Sequence, residues 1–342
     1  MTVPHRLNAP DRDELETLAH RLANEAGTTF IVQFSSPEQY PADVLQLLDD
    51  LCARYAERID VRFYGHYADA CFDGHTLQAL PHVRVLTLDC LYQFTGLEAI
   101  KDLAHLSCLA IGVEKFDLNP VVAFENLQTL CELRLSQFTG PKLDLAPVST
   151  MSRLHALHLS APAQGLEPLR QHAALATLSL YRQPATMTFE GVSTLAGLKD
   201  LSIGFGSRKA MPELCSDSVE RMSLLRVRGL GQFDPGRFPG LQALEIEDQP
   251  HLQDLVIEHT PGLHTLKLSN LKALSNLQGL GQSSLAHLEV YKTPALDLLG
   301  LLNGPLPALA SLKLISGKRK LDEQIMARQN ALGIPRPVFG PA

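Results

Sequence analysis

Three short stretches decide the fold: LHALHL at residues 154–159, LATLSL at 175–180 and LKDLSI at 198–203. Each reads L-x-x-L-x-L with an aliphatic at every L position, and their starts lie 21 and 23 residues apart. The apolar–polar–apolar alternation at the end of each stretch is the period of a half-buried β-strand. Worked outward, the pattern starts at Val83, Leu106, Leu130, Leu154, Leu175, Leu198, Met222, Leu241, Leu263, Leu285 and Leu309, at spacings of 19 to 24 residues. Every template position in these eleven units is aliphatic or Met, in a chain that is 45% hydrophobic. Chance agreement of that kind is on the order of one in 10^11. A unit this short cannot bury its apolar face alone, so units must stack and share one core.

The eleven units resemble the leucine-rich repeat family, and the resemblance covers roughly residues 58–316. It implies an α/β solenoid with a curved parallel sheet on the concave side and a helical or irregular convex side. Aliphatics such as Leu97, Ile100 and Leu103, or Leu271, Leu274, Leu277 and Leu280, would line the return segments. One departure stands out. The family usually places Asn or Cys three residues beyond the last strand Leu. That column here reads Leu91, Glu114, Phe138, Pro162, Gln183, Gly206, Leu230, Gln249, Leu271, Thr293 and Gly317. Without the asparagine ladder, irregular turns are expected, with backbone groups finding other partners.

Three regions follow from this reading: an N-terminal helix and strand cap over 1–57, the repeats over 58–316 with a degenerate first unit, and a C-terminal capping helix with a Pro-rich tail over 317–342. At the start, DRDELETLAHRLANE (11–25) puts Leu15, Leu18 and Leu22 on one helical face, and FIVQF (30–34) reads as a strand. A second helix over roughly 41–56 carries Val44, Leu47, Leu48 and Leu51 and leads into a strand at Ile59–Tyr64. KLDEQIMARQNALG (320–333) reads as a closing helix stopped by Gly333.

The chain has 342 residues, with 30 Lys and Arg against 37 Asp and Glu, for a formal charge of −7 at pH 7. That balance argues against general attraction to nucleic acid or anionic membranes. Cys52, Cys71, Cys90, Cys108, Cys131 and Cys215 are scattered and form no C-x-x-C, so reduced thiols in a cytoplasmic protein are expected. No signal-peptide pattern opens the sequence and no apolar run approaches a bilayer span.

Positions between and after the core leucines face out of the sheet. The sequence predicts a central column of Arg62, Thr87, Ala110, Arg134, His158, Ser179, Ser202, Arg226, Glu245, Lys267, Glu289 and Lys313. Its last five members alternate in sign. A second column contains Tyr64, Asp89, Tyr181, Arg228, Glu247 and Tyr291, and a third adds Arg182, Phe205, Asp248 and Lys292. Counted this way the face is net basic. Arg134, His158, Tyr181, Arg182, Phe205, Arg226 and Arg228, with Tyr291 further on, form the expected partner-binding set, because Arg and aromatic side chains dominate interface hot spots.

Catalytic readings find no support in the pattern. His158, Ser179 and Asp200 fall on successive units with the serine in the middle, where a triad needs the base. Glu245, Glu247, Asp248 and Glu289 are interrupted by Lys267, and His66, Asp69, Cys71, Asp73 and His75 read as a solvated loop rather than a metal site. No phosphate-loop, zincin or hydrolase-elbow motif occurs, and Lys318-Arg319-Lys320 reads as a solvated run. The expectation is therefore a non-enzymatic module, monomeric alone, with no cofactor, no metal, no nucleic acid and no membrane. It would bind a protein on the concave face, as a cytosolic inhibitor or immunity-type protein that neutralises a cognate toxin or enzyme. The alternative is a secreted pathogen effector or adaptor that binds host proteins.

Overall fold

The computed structural model describes residues 4–336 apart from Ala68, Gln171, Pro305, Pro307 and Ala308. The expected extended tail after Gly333 thus lies largely outside the described residues. The chain divides into two compact units that meet in sequence at Gln164 and Gly165.

The first unit carries β1 (His5–Asn8), α1 (Arg12–Asn24), β2 (Phe30–Phe34), α2 (Ala42–Tyr55), β3 (Ile59–Tyr64), β4 (Phe72–Asp73), β5 (Val85–Leu91), β6 (Phe94–Thr95), β7 (Cys108–Lys115), α3 (Asn119–Val122), β8 (Glu132–Thr139) and β9 (Ala156–Ser160). Its main sheet runs β1-β2-β3-β5-β7-β8-β9, every pairing parallel. The first helix starts where the sequence allows a capping box: the Asp11 carboxylate accepts the Glu14 N–H at 2.9 Å and Glu14 accepts the Asp11 N–H at 3.1 Å. Its Leu15, Leu18 and Leu22 are buried as the spacing predicts. On α2 the buried set is Val44, Leu45, Leu48, Asp49, Leu51 and Cys52, so Leu45 takes the place expected of Leu47. Strand β1 was not foreseen; it adds to β2 in register, His5 opposite Phe30.

The second unit carries β10 (Thr177–Tyr181), β11 (Asp200–Gly204), β12 (Arg221–Leu225), β13 (Ala243–Glu247), β14 (Asp254–Val256), β15 (Thr265–Ser269), β16 (Asn276–Gln278), β17 (His287–Tyr291), α4 (Leu298–Leu301), β18 (Ser311–Ile315) and α5 (Arg319–Ala331). Its main sheet runs β10-β11-β12-β13-β15-β17-β18, again all parallel. In both units the L-x-L leucines point inward and are essentially inaccessible, and short 3₁₀ turns return the chain. Leu97, Ile100, Leu103, Leu271 and Leu274 are buried on that return side, while Leu277 and Leu280 are only half-buried. Helix α5 buries Ile325 and Gln329 and ends before Gly333, whose φ of +66° suits glycine.

One unit takes a register other than the one the sequence pattern predicts. The sheet pairs Leu201 with Met222 and Ile203 with Leu224, so the unit starts at Val219, not at Met222. The adjacent pair Leu224 and Leu225 lets two frames three residues apart satisfy the same template, V-x-x-M-x-L and M-x-x-L-x-V. The first frame wins by burying Val219, Met222 and Leu224 and by restoring even spacing to Leu241. Ser223 therefore occupies the central column where Arg226 was expected, and Leu225 the column assigned to Arg228.

Candidate functional site

On the first unit, alternate residues of each strand stand out of the sheet, and the column that begins at Asp60, skipped in the sequence reading, is part of this face. Asp60, Val85, Cys108, Glu132 and Ala156 are in register along it. Asp60 accepts a hydrogen bond from Thr87 at 2.9 Å, and burial pushes its carboxyl up to about 6. Glu132 accepts from the Arg134 guanidinium at 2.5 Å and faces His158 Nε2 at 3.6 Å. Burial lowers the His158 pKa, the Arg134 charge lowers it further and Glu132 opposes both. Small side chains at Thr87 and Ala110 leave a depression of ≈ 110 Å³ between Asp60 and Arg134. Beside it, Arg62 holds Asp89 through two bonds of 2.8 Å and lies 4.7 Å over the Tyr64 ring. Arg134 and His158 thus share the face as predicted, tied to Glu132, which the sequence reading overlooked.

At the strand exits of this unit three aromatic side chains stand in solvent. Tyr67 and Tyr92 stack with ring centroids 4.9 Å apart while remaining 65% and 53% exposed, and Phe138 is 62% exposed. None was in the expected set. The signal was available: Tyr92, Phe94, Phe116 and Phe138 all fall just beyond, or at the polar end of, a core L-x-L.

On the second unit the expected residues sit at the strand ends rather than across the sheet. Tyr181 closes β10 and Arg182 follows it; Phe205 follows β11, Arg226 follows β12 and Tyr291 closes β17. Arg182, Phe205, Arg226, Asp248, Asn270 and Lys292 all adopt left-handed backbone, with φ from +47° to +59°. Their N–H groups donate to carbonyls of the next coil at 2.8 to 3.0 Å, so the ladder continues one residue past each strand. On this unit the turns are therefore regular, against expectation, whereas on the first unit the pairing of β5 with β7 shifts register between Leu88 and Leu91; in the column without asparagine, buried amides bond their own coil. Gln183 Nε2 donates to the Tyr181 carbonyl at 3.0 Å, and Gln249 Nε2 to that of Glu247 at 3.0 Å.

Tyr181 and Phe205 meet edge to face at 5.8 Å, and the Arg226 guanidinium lies 5.8 Å from the Phe205 ring centroid. Phe205 remains 45% exposed. Arg226 binds Asp248 at 2.6 Å, and Lys292 stands 4.9 Å over the Tyr291 ring. Beyond them Arg226, Arg228, Asp248, Asn270, Lys272 and Lys292 line a groove of ≈ 460 Å³ walled by Pro250 and Pro294. On the sheet itself Glu245, Lys267, Glu289 and Lys313 stand in register, and Lys313 reaches Glu289 at 2.5 Å. The alternating ladder thus starts at Glu245, not at Arg226. Asp200 is held by Arg221 through both carboxylate oxygens. With the skipped columns counted and Ser223 in place of Arg226, the sheet faces lose the net basic character expected of them.

The residues considered for metal binding are not gathered for it. His66 is fully buried, bonded to the Tyr40 hydroxyl and the Tyr64 carbonyl at 3.0 Å each. Asp73 and His75 instead pair with one another at 2.8 Å on the surface. Among the described residues no group of three or more His, Cys, Asp or Glu is placed to hold an ion. No helix among them is long and apolar enough to cross a membrane.

No protein-family model matches the sequence, and a search of curated proteins finds no match. Solved structures do match. An internalin of Listeria monocytogenes is 16% identical, with 90% of this chain and 82% of that chain covered and a TM-score of 0.50. A leucine-rich-repeat protein of Leptospira interrogans is 15% identical, with 91% and 97% covered and a TM-score of 0.47. Parallel one-strand coils, inward L-x-L leucines and the likeness to the internalin agree: this chain has the leucine-rich-repeat solenoid fold.

Proposed function

We propose that this chain is a non-catalytic protein-binding module. The observation that carries the reading is Phe205, held in solvent between Tyr181 and Arg226 on a backbone that the ladder makes rigid. Large aromatics in water next to arginine are the composition of interface hot spots, where covering them releases most of the binding energy. Tyr181, Arg182, Phe205, Arg226, Arg228 and Tyr291 on the second unit, and Arg134 and His158 on the first, are the contact residues we assign. Rigid coils bind with little ordering cost, so occlusion of another protein needs no chemistry. We infer on this basis a cytosolic inhibitor of the immunity type, acting on a cognate toxin or enzyme.

The test is capture of partners by the immobilised protein from its own cell lysate, identified by mass spectrometry, followed by titration of the purified partner. Tyr181→Ala with Phe205→Ala should weaken that complex by about tenfold or more, the scale of losing a hot spot, with thermal unfolding unchanged. Unaltered affinity would remove this patch from the interface. Inhibition is checked by assaying the captured protein's activity with and without the chain; an unaffected activity rules out the inhibitor reading.

A further inference from the structure

Two columns of side chains recur at a spacing of 22 residues along the strand-exit edge of the second unit. One is Arg226, Asp248, Asn270 and Lys292. The other, two positions further on, is Arg228, Pro250, Lys272, Pro294 and Ser316. Together they are the lining of the ≈ 460 Å³ groove. The first column is left-handed at every member, and each of its N–H groups is bonded to the following coil. Its Cα–Cβ bonds therefore leave the edge in a similar direction, coil after coil. At ~4.8 Å per coil the groove extends for roughly 19 Å.

Its charge is one-sided. Of the described residues, four cations face it against a single carboxylate, Asp248, which Arg226 already engages. Among the described residues Arg228, Lys272 and Lys292 have no ion-pair partner. This is a basic strip on a chain whose net charge is −7. At the Ser316 end the strip stops at an acid: the Ser316 N–H and Oγ both donate to Asp322 Oδ1 at 2.7 Å, and the neighbouring Arg319 is paired with Glu323.

Shape selects among anions. A lone phosphate needs donors converging on one point, whereas these cations are strung out along successive coils. Among the described residues no aromatic ring lines the groove on which bases of a nucleic acid strand would stack. The proline rings of Pro250 and Pro294 offer apolar walls between the charges. An extended polypeptide advances ~3.3 Å per residue, so acids about three residues apart would meet cations two coils apart.

We propose that this groove docks an extended acidic segment of a protein partner, its carboxylates paired with Arg228, Lys272 and Lys292. The proposal rests on the reading of the chain as a protein-binding module and gives the partner a chemistry.

The probe is a fluorescein-labelled twelve-residue peptide with Glu at every third position and Gly and Ser between, read by fluorescence anisotropy beside the same peptide with Gln for Glu. The Glu peptide should bind, less tightly as salt rises, and the Gln peptide should not. R228E combined with K272E should weaken it about tenfold or more while leaving thermal unfolding unchanged. Equal binding of the two peptides, no binding, or indifference to the double substitution would overturn the proposal. Displacement of the Glu peptide by inorganic triphosphate or oligo(dT) at lower concentrations would also overturn it, in favour of a phosphate site. The captured partner separates this inference from the reading beneath it. A complex weakened by Tyr181→Ala with Phe205→Ala but untouched by R228E/K272E sinks the groove alone.

Discussion

Arg226 grips Asp248 across adjacent coils, its Nη2 and Nε both donating to Asp248 Oδ2 at 2.6 and 3.0 Å, with both residues on left-handed backbone. The two are 22 residues apart and occupy the same position of successive coils, so the turn geometry itself brings them together. The Arg226 side chain remains 61% exposed, and an ion pair of that kind adds little to stability, ~0–1 kcal/mol. Its consequence is orientation: Arg226 is held beside the Phe205 ring rather than sweeping through solvent.

Asp248→Asn should therefore shift urea unfolding by less than about 1 kcal/mol. The same substitution removes the only acid that lines the groove among the described residues and frees a cation. Acidic-peptide affinity, measured by anisotropy titration, should rise severalfold and should fall again with added salt more steeply than in the parent chain.

The left-handed column makes a second prediction, about backbone rather than charge. Asn270 sits at φ +57°, where Asn is tolerated and a β-branched residue is not. Asn270→Val should destabilise the chain by about 1–3 kcal/mol, whereas Asn270→Gly should stay within a few tenths of the parent. Equilibrium urea unfolding distinguishes the two. Equal effects would mean that the turn relaxes instead of imposing its conformation.

The coils were legible because burial demands an aliphatic at each inward position, and Leu178, Leu201 and Leu244 satisfy that demand with no competing period. The turns were not. Asp248 and Asn270 suit a left-handed position, but Arg182, Phe205, Arg226 and Lys292 do not advertise it; the hydrogen-bond ladder between coils imposes it on them. The same limit explains the Met222 unit, where Leu224 and Leu225 in sequence leave the frame undecided until neighbouring strands pair. It also explains the site. Tyr181, Phe205, Arg226 and Arg228 were picked for their chemistry and do lie on one unit, yet two of the four were assigned to the wrong columns. Glu132 and Arg221 went unnoticed, and Asp200 was weighed only as a triad carboxylate, because all three precede the second core position of their units, which the pattern alone does not mark as surface.

Asp60 gives the first unit a pH dependence whose sign follows from burial. Its folded pKa is raised from the usual 3.8 to about 6, chiefly by desolvation, with Thr87, Arg62 and Arg134 opposing and Asp89 reinforcing. Between those two values the folded chain binds more protons at this site than the unfolded chain. Stability from this group therefore falls as pH rises from about 4 to about 6 and stays lower above that. Asp60→Asn, which keeps the shape and removes the charge, should stabilise the chain at pH 7 by on the order of 1–3 kcal/mol and by much less near pH 4. Urea unfolding of both proteins across that range checks it. His66 and His158, whose folded pKa values burial lowers, act oppositely by losing stability as pH falls through the imidazole range, and they cancel in the comparison.

Arg208 supplies the last test, because it holds the loop that leaves β10. Its guanidinium lies 3.9 Å over the Phe189 ring, donates to the carbonyls of Pro184 and Met187 at 3.1 and 3.2 Å, and stands 3.6 Å from Glu213. The side chain is nearly inaccessible, at 7%, and burial lowers its pKa from the usual arginine value. Arg208→Ala would leave two loop carbonyls without their donor, uncover the ring and take from Glu213 its cation, which together should cost about 3–5 kcal/mol. Arg208→Lys should recover less than half of that loss. Both carbonyls accept from the single Nη2, which an ammonium with its three donors could imitate, but an ammonium cannot lie flat on the ring. If lysine restored full stability in urea unfolding, charge alone would be holding the loop. Retention of the defect would show that the planar group stacked on the Phe189 ring does.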